Sequence, residues 1–285
     1  MKKSLAIIGA GTMGVGIAQV FLQAGFKVLL LDIDPNILKE AEKRIEDIYS
    51  LLVEKEKISP GDRDAYLSNL KPATDLEILK DIPLIVEAVK EDLQIKKRLL
   101  VKVEEVVPEY SIITSNTSSF SINRLASGLK KPGRFMGLHF FNPAPLLPLV
   151  EVIMGEKTLK KVKDKIIGLL KSIDLEPVEV KDSPGFIVNR LLIPYINKAV
   201  DLLSEAVASR DDIDKAMRLG ANHPMGPLEL ADHIGLDICL NIMENFYEDS
   251  GNSGYRPSDL LKKMVSSGKL GEKTGEGFYN YYKRR

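Results

Sequence analysis

The sequence predicts an α/β fold, with a mostly parallel sheet in the first part of the chain and an all-α domain after it. Up to Lys181, short apolar segments alternate with longer amphipathic segments of helical period, which is typical of a parallel sheet with right-handed crossovers. Beyond the turn signal Asp182-Ser183-Pro184-Gly185 only helical patterns remain. We therefore divide the chain into residues 1–181 and residues 182–285.

A glycine-rich turn follows the first predicted strand, Leu5–Ile8. Gly9, Gly11 and Gly14 have the G-x-G-x-x-G spacing, and a helical pattern begins after them. In the Rossmann fold the first glycine permits a tight turn, the second lets the backbone approach a pyrophosphate, and the third lets helix and strand pack closely. The N–H groups at the helix start and the helix dipole favour the phosphate charges. The turn thus predicts a Rossmann-type, dinucleotide-binding domain.

The second apolar strand, Val28–Leu31, ends in Asp32. A carboxylate at this point can accept hydrogen bonds from a ribose diol and repels a 2′-phosphate, so NAD is favoured over NADP as the cofactor. The alternative is a tight strand–helix turn without a ligand, because glycine triplets also occur in ordinary turns. The dinucleotide site is the preferred interpretation, since the strand, the helix and the acid all stand where the motif requires them.

The composition argues against several other classes of protein. The 285 residues suffice for two domains, and 40 basic residues balance 40 acidic ones, so the bulk charge indicates neither nucleic-acid nor membrane binding. The single cysteine, Cys239, can form no internal disulfide, and His139, His223 and His233 have no metal-ligand spacing. No signal peptide or transmembrane run follows Met1. We expect a cytoplasmic protein without a bound metal.

The remaining elements of the first domain follow from the periodicity of apolar residues. Short apolar segments predict strands at Leu84–Glu87, Ser111–Thr114, Arg134–Phe141, Leu149–Met154 and Pro177–Lys181. Amphipathic segments predict helices from Pro35 to about Lys57, near Arg63–Leu70, and at Asp92–Val107 and Leu159–Ser172.

The second domain begins with a mostly apolar segment, Phe186–Val207, which predicts a largely buried helix kinked at Pro194. Its apolar surface is wider than one core-facing stripe, which favours assembly of the protein through this half. Further helices are predicted near Asp211–Leu219, Pro227–Phe246 and Pro257–Ser267.

Polar residues collect at one edge of the predicted sheet. In an open parallel sheet, ligands bind at the carboxyl ends of the strands. Any one of these residues could be a helix cap or a turn residue, but six on one edge indicate a site. The six residues at or just past strand ends are Gly9, Asp32, Glu87, Asn116, Ser118 and His139.

His139 is the candidate general acid and base, because an imidazole gains and loses a proton near neutral pH. Hydride transfer from an alcohol needs a base that takes the hydroxyl proton. Glu151 lies in an otherwise apolar strand, where an unpaired carboxylate is costly, and it could orient the imidazole and stabilise the imidazolium. The alternatives, a hydrogen-bonded core histidine and a solvent-facing glutamate, fit the spacing equally well.

Three further polar residues have two interpretations each. Ser118 and Asn116 could bind cofactor or substrate oxygen, but the run Ser115–Ser119 could also simply cap the helix that starts near Ser121. Asn189 lies in the apolar helical segment of the second domain, where a buried amide needs a partner. Substrate contact and internal hydrogen bonding are both open for it.

Beyond the glycine fingerprint, a series of motifs extends along nearly the whole chain. In order, they are G-A-G-T-M-G at Gly9, V-E-A-V at Val86, S-N-T-S-S at Ser115, H-F-F-N-P at His139, L-V-E at Leu149, D-S-P-G-F-I-V-N-R-L-L at Asp182 and K-T-G-E-G-F-Y at Lys273. Together they closely resemble the L-3-hydroxyacyl-CoA dehydrogenase family, and most of all its bacterial 3-hydroxybutyryl-CoA members. The resemblance implies oxidation of an (S)-3-hydroxyacyl-CoA to a 3-oxoacyl-CoA with NAD, or the reverse reduction.

The resemblance also implies roles for individual residues. His139 and Glu151 would form the catalytic pair, while Ser118, Asn142 and Asn189 would bind the reacting part of the substrate. NAD contacts are implied for Asp32, Glu87, Asn116 and Lys273.

Two further implications concern partners and coenzyme A. Members of the family dimerise through the helical domain, so a homodimer is expected, and Lys55 would contact a coenzyme A phosphate. Many relatives carry a lysine near Pro148, where this chain has Leu146-Leu147-Pro148, so a contact made by that lysine is not carried over.

Two other functions are compatible with the same motifs. The chain could oxidise a free hydroxy acid or sugar acid, as related gulonate dehydrogenases do, or it could be a non-enzymatic NAD-binding or structural relative. The presence of both His139 and Glu151 disfavours the non-enzymatic alternative.

Overall fold

The structure is a computed structural model that describes residues 3–282, apart from the side chain of Asp249. Contacts divide the chain between Ser183 and Pro184 into two compact units, each described below by itself.

The first unit is built on one eight-stranded sheet with the strand order β3-β2-β1-β4-β5-β6-β7-β8. The first six strands in the chain run parallel, while β7 pairs antiparallel with β6 and parallel with β8. The strands are β1 (Ser4–Ile8), β2 (Lys27–Leu31), β3 (Leu70–Ala73), β4 (Leu84–Glu87), β5 (Ile112–Ser115), β6 (Phe135–Phe140), β7 (Leu149–Met154) and β8 (Glu176–Lys181).

Strand β3 is absent from the sequence-based prediction, which ended a helix at Leu70. It contains Pro72 and pairs with β2 alone, so it is an edge strand, where the missing N–H of a proline is tolerated. None of its four residues is fully buried, so the sequence has no run of apolar residues that would predict a strand here.

In the described residues six α-helices pack around the sheet, and side-chain caps fix where several of them begin. Asp34 accepts from the Asn36 N–H, and Asp92 from the N–H groups of Gln94 and Ile95. The helices are α1 (Thr12–Gln23), α2 (Pro35–Glu54), α3 (Pro60–Ser68), α4 (Leu93–Val106), α5 (Ile122–Ala126) and α6 (Lys160–Lys171).

The core of this unit lies between the sheet and its helices. Leu5, Ile7, Val28 and Leu30 are fully buried, and Phe21 of α1 packs edge-on against Phe140 of β6. Burying large apolar side chains on both faces stabilises the parallel sheet and holds the carboxyl ends of its strands at one edge.

The second unit is mostly helical over its described part, with two isolated antiparallel β-bridges near its end, Gly271 to Glu276 and Glu276 to Asn280. Its helices are α7 (Val188–Ser204), α8 (Arg210–Gly220), α9 (Pro227–Ile234), α10 (Leu236–Ser250) and α11 (Asp259–Ser266). The single helix predicted over Pro227–Phe246 is wrong, because Gly235 has φ +105° and separates α9 from α10. Pro194 lies inside α7 as expected.

Helix α7 is shorter and less buried than the sequence predicts. Its buried residues, such as Ile193, Ile196 and Val200, follow helical spacing and form one core-facing stripe. Leu191 is 70 % exposed and Leu202 is 42 % exposed on this single chain. None of the helices in the described residues is long and apolar enough to cross a membrane.

Candidate active site

The glycine-rich turn has the geometry of a phosphate-binding loop. Gly9 adopts φ +108°, and a Cβ on Gly14 would lie 1.8 Å from the Gly9 carbonyl oxygen, so neither position accepts a side chain. Gly11, by contrast, has an ordinary φ of −71° and no atom within 4 Å of where its Cβ would be. Its open side leaves room for a ligand to approach the backbone at the start of α1.

Asp32 stands beside this turn and is held in one orientation. Its Oδ2 accepts the Ala10 N–H at 2.9 Å, and its Oδ1 accepts the Asp34 N–H at 3.2 Å. The carboxylate therefore joins the end of β2 to the glycine-rich turn.

A cleft of about 780 Å³ opens from Gly9, Gly11 and Asp32. Most of its lining surface is apolar, with Ile33 and Ile37 among the residues that line it. Ile33 is 94 % exposed, so its side chain offers an apolar surface to a ligand in this cleft. An open glycine backbone, an oriented carboxylate and an apolar slot together fit the pyrophosphate, ribose and adenine of NAD.

His139 and Glu151 form a hydrogen-bonded pair inside the same unit. They stand opposite each other in the antiparallel ladder of β6 and β7, with 2.7 Å between Nδ1 and Oε2. The side chain of His139 is 4 % exposed and that of Glu151 is 1 % exposed, so the solvent-facing alternative for Glu151 is wrong. Ser118 Oγ lies 3.0 Å from Nε2 of the same imidazole.

The hydrogen bonds indicate which nitrogen carries the proton. An ionised Glu151 can only accept, so we assign the hydrogen of the neutral imidazole to Nδ1. Nε2 then has a lone pair and accepts from the Ser118 hydroxyl. The imidazole thus presents a basic nitrogen beside a hydroxyl group, and its other nitrogen is bound to a buried carboxylate.

Asn116 is also near this pair in the fold. Its side-chain Oδ1 accepts the N–H of Phe140, the residue after His139, at 2.8 Å. The amide therefore ties the end of β5 to the end of β6.

Glu87 is fully buried, and both of its carboxylate oxygens have protein partners. Oε1 accepts the Val89 N–H and the ammonium of Lys96, while Oε2 accepts the Ser115 hydroxyl at 2.5 Å. The direct contact with NAD that the resemblance implies for Glu87 would require this network to open.

Lys96 and Glu91 were missed by reasoning from the sequence. The Lys96 ammonium, only 1 % exposed, lies 2.7 Å from Glu87 Oε1 and 3.2 Å from Glu91 Oε2. The sequence does carry a signal for it, because Lys96 occupies the buried face of α4 together with Leu100 and Val103. A lysine on a core-facing helical position needs an acidic partner.

Glu91 holds the polar loop that follows β5. Its Oε1 accepts from the Thr117 hydroxyl at 2.6 Å and from the N–H groups of Ser118 and Ser119 at 3.0 and 3.1 Å. Burial alone would raise the pKa of Glu91, but the charge of Lys96 and these hydrogen bonds lower it overall. The loop that carries Ser118 is therefore fastened to an ionised carboxylate.

Two further predicted residues of the first unit, Asn142 and Lys55, have no hydrogen bond to this cluster within the described part of the chain. Asn142 is exposed on the turn that follows β6. Lys55 is the C-cap residue of α2, whose 20 residues make a helix about 30 Å long.

Asn189 and Lys273 belong to the second unit. Asn189 is half-buried near the start of α7, and the Lys273 ammonium lies 2.5 Å from Asp237 Oδ1. The described residues contain no group of three or more histidine, cysteine, aspartate or glutamate side chains arranged to hold a metal ion.

Each of the two units matches a domain of one known protein family. Residues 4–183 match the family model described as 3-hydroxyacyl-CoA dehydrogenase, NAD binding domain, and residues 185–281 match its C-terminal domain. The 3-hydroxybutyryl-CoA dehydrogenase of Clostridioides difficile is 46 % identical over 279 residues, covering 98 % of this chain and 99 % of that relative. The human mitochondrial hydroxyacyl-coenzyme A dehydrogenase is 42 % identical over 286 residues, covering 98 % and 91 %.

Solved structures give the same result. The crystal structure of (S)-3-hydroxybutyryl-CoA dehydrogenase PaaH1 from Ralstonia eutropha superimposes with a TM-score of 0.95 at 41 % identity, covering 99 % of both chains. The resemblance of the sequence motifs and the NAD cofactor are thereby confirmed. The chain belongs to the 3-hydroxyacyl-CoA dehydrogenase family of NAD-dependent enzymes.

Proposed function

We propose that the protein interconverts (S)-3-hydroxyacyl-CoA and 3-oxoacyl-CoA with NAD, and that its preferred substrate is the short-chain 3-hydroxybutyryl-CoA. The observation that carries the proposal is the buried imidazole of His139 between Glu151 and Ser118. The substrate class is supported by the names of relatives that match along nearly the whole chain.

The proton chemistry follows from the two nitrogens of the imidazole. Bound NAD would supply the hydride acceptor for the oxidation, and NADH the hydride donor for the reduction. Nε2 of His139 removes the hydroxyl proton in the oxidation and returns it in the reduction. Glu151 accepts the hydrogen bond from Nδ1, fixes the tautomer and stabilises the positive charge that the imidazole gains.

Amide and hydroxyl groups would orient the substrate around this nitrogen. Ser118 already contacts Nε2, so a substrate hydroxyl that approaches Nε2 would also meet the Ser118 Oγ. We assign Asn142 and Asn189 to the carbonyl groups of the substrate, since amide N–H groups can donate to a carbonyl or thioester oxygen. Asn116 would support both ligands, because it fixes the backbone next to His139.

The cofactor would lie in the cleft beside the glycine-rich turn. Gly9, Gly11 and Gly14 shape the turn for the pyrophosphate, and Asp32 binds the adenosine ribose. Lys273 would supply a positive charge to the dinucleotide once it leaves Asp237, and Lys55 would bind a phosphate of coenzyme A.

We also propose a homodimer that forms through the second unit. Leu191 and Leu202 of α7 are large exposed apolar side chains, and a partner subunit would cover them. Sedimentation should show a dimer at micromolar concentration, whereas a monomer alone would contradict the proposal.

A reducing cytoplasm is the proposed location, because the one cysteine is buried and unpaired. Burial raises the pKa of the Cys239 thiol to about 12, so the thiol stays protonated and unreactive.

A substrate comparison tests the proposed function. We expect NADH oxidation with acetoacetyl-CoA and none with free acetoacetate at the same concentration. Activity with acetoacetate or a free sugar acid alone would indicate a dehydrogenase of free acids. NADH binding without turnover of any of these compounds would indicate a non-enzymatic protein.

A further inference from the structure

Two cations of α4 line the cleft that we assign to NAD. Arg98 and Lys102 are one helical turn apart, so their side chains lie on the same face of the helix as Ile95 and Leu99, which also line the cleft. Both cations are exposed. Within the described part of the chain neither has an ion-pair partner. Nothing in the proposed binding of NAD requires two unpaired cations at this wall.

The residues that follow Asp32 in the lining, Ile33 and Asp34, supply no cation for a phosphorylated ribose. Sites that bind NADP place an arginine near the end of the second strand, where it binds the 2′-phosphate. Here the residue after Asp32 is Ile33, and Asp32 itself carries a negative charge into the cleft. The cations that line the cleft are Arg98 and Lys102 on α4 and Lys90 on the loop before it.

We propose that Arg98, assisted by Lys102, is a latent subsite for the 2′-phosphate of NADP, and that Asp32 alone excludes NADP from this cleft. The proposal rests on the placement of NAD in the cleft. A guanidinium can bind a phosphate through two parallel hydrogen bonds, and a neighbouring ammonium at i+4 can reach the same group. Both cations are exposed, so their attraction to a phosphate, like its repulsion from Asp32, is screened by water and weakens as the salt concentration rises.

The consequence is that one substitution suffices to admit NADP, with no arginine introduced. Replacing Asp32 with serine removes the repulsion while the cations remain in place. The quantity to measure is the ratio of the dissociation constants of NADPH and NADH, determined from ligand fluorescence on the intact protein. This ratio is insensitive to any general damage that weakens both cofactors equally.

Four proteins carry the test: the unmodified protein, Asp32→Ser, Asp32→Ser with Arg98→Gln, and Asp32→Ser with Lys97→Gln. Lys97 is the matched control, because it is a lysine on the same helix that does not line the cleft. We expect Asp32→Ser to shift the ratio toward NADPH by about 10- to 100-fold, the size of one charged hydrogen-bonding interaction. Adding Arg98→Gln should reverse most of that shift, and adding Lys97→Gln should leave it in place.

The proposal would be overturned if the ratio of the NADPH and NADH dissociation constants were the same in two double variants, Asp32→Ser with Arg98→Gln and Asp32→Ser with Lys97→Gln. If neither Asp32→Ser nor Gly11→Ala changed the affinity for NADH, NAD would lie elsewhere and the proposed cofactor site would be wrong. If Asp32→Ser unfolds, Asp32→Asn serves instead, since its amide oxygen can still accept the Ala10 N–H while the charge is gone.

Discussion

Glu151 lies directly opposite His139 in the β6–β7 ladder, and its carboxylate oxygen is 2.7 Å from the imidazole Nδ1. Two rigid strands therefore set the distance between these side chains, without help from a mobile loop. A site built on paired strands holds its geometry better than one built on loops. The pair is thus prepared to move a proton without first rearranging.

Glu151→Gln should lower kcat by as much as about 10²- to 10⁴-fold, the usual size of an acid–base contribution. An amide can still orient the imidazole, but it cannot stabilise the positive charge that the imidazole gains. Steady-state kinetics with acetoacetyl-CoA measure the loss. Glu176→Gln, an exposed glutamate on the adjacent strand β8, is the control and should retain full activity.

Gly11→Ala should separate cofactor binding from stability. The backbone at Gly11 accepts an alanine, and open space surrounds the position, so the melting temperature should stay within a degree or two of the unmodified protein's, about the effect of a neutral surface change. NADH affinity should nevertheless fall, because the new methyl group points into the path of the pyrophosphate. Gly168→Ala on α6, which also meets no neighbouring atom, should leave NADH affinity unchanged. Unaltered NADH binding by Gly11→Ala would place the pyrophosphate elsewhere.

Lys96→Met should destabilise the first unit by about 3–5 kcal/mol, because it leaves Glu87 charged, buried and without its cation. Urea unfolding measures the change, and Lys97→Met on the same helix should cost far less. Combining Lys96→Met with Glu87→Gln should recover part of the loss, since both buried charges are then removed. A loss below about 1 kcal/mol for Lys96→Met would contradict the importance of this buried pair.

The contribution of Glu91 to stability should depend on pH. The pKa of Glu91 is lowered in the folded protein, so its ionised form stabilises the fold above the unfolded value of about 4.3. The stabilisation is lost as the pH falls through the lower, folded value. Glu91→Gln should therefore reduce the free energy of unfolding at pH 7 and have a diminishing effect below about pH 4. An equal effect at pH 7 and at pH 3 would be inconsistent with an ionised, hydrogen-bonded Glu91.

Local patterns were sufficient to predict the glycine-rich turn and most strands. A positive φ requires glycine at position 9, and close packing against the Gly9 carbonyl requires glycine at position 14. Both requirements arise within a few residues of the chain, so a local pattern reveals them. The edge strand β3 was missed because an edge strand with a proline has no apolar pattern. The break at Gly235 was missed because the apolar period continues through it, and only the positive φ ends α9.

The pairing of His139 with Glu151 is a relationship that the sequence could suggest but could not establish. The eight residues between β6 and β7 are too few for a crossover helix, which indicates an antiparallel pair. The register that sets these two residues opposite each other depends on the rest of the sheet. Lys96 was overlooked because its importance arises from burial, which a charged residue in a helix rarely has. Glu91 was overlooked because its partners lie on a loop that is distant in the sequence.

The most direct test of the account is the kcat of His139→Gln in both directions of the reaction, measured beside its NADH dissociation constant. We expect kcat to fall by about 10²- to 10⁴-fold while NADH binding changes little, because the imidazole moves a proton and does not hold the dinucleotide. Glu151→Gln added to it should cause little further loss, since both side chains serve one proton transfer. Near-normal kcat in His139→Gln would show that another residue or water is the base, and would contradict the proposed mechanism.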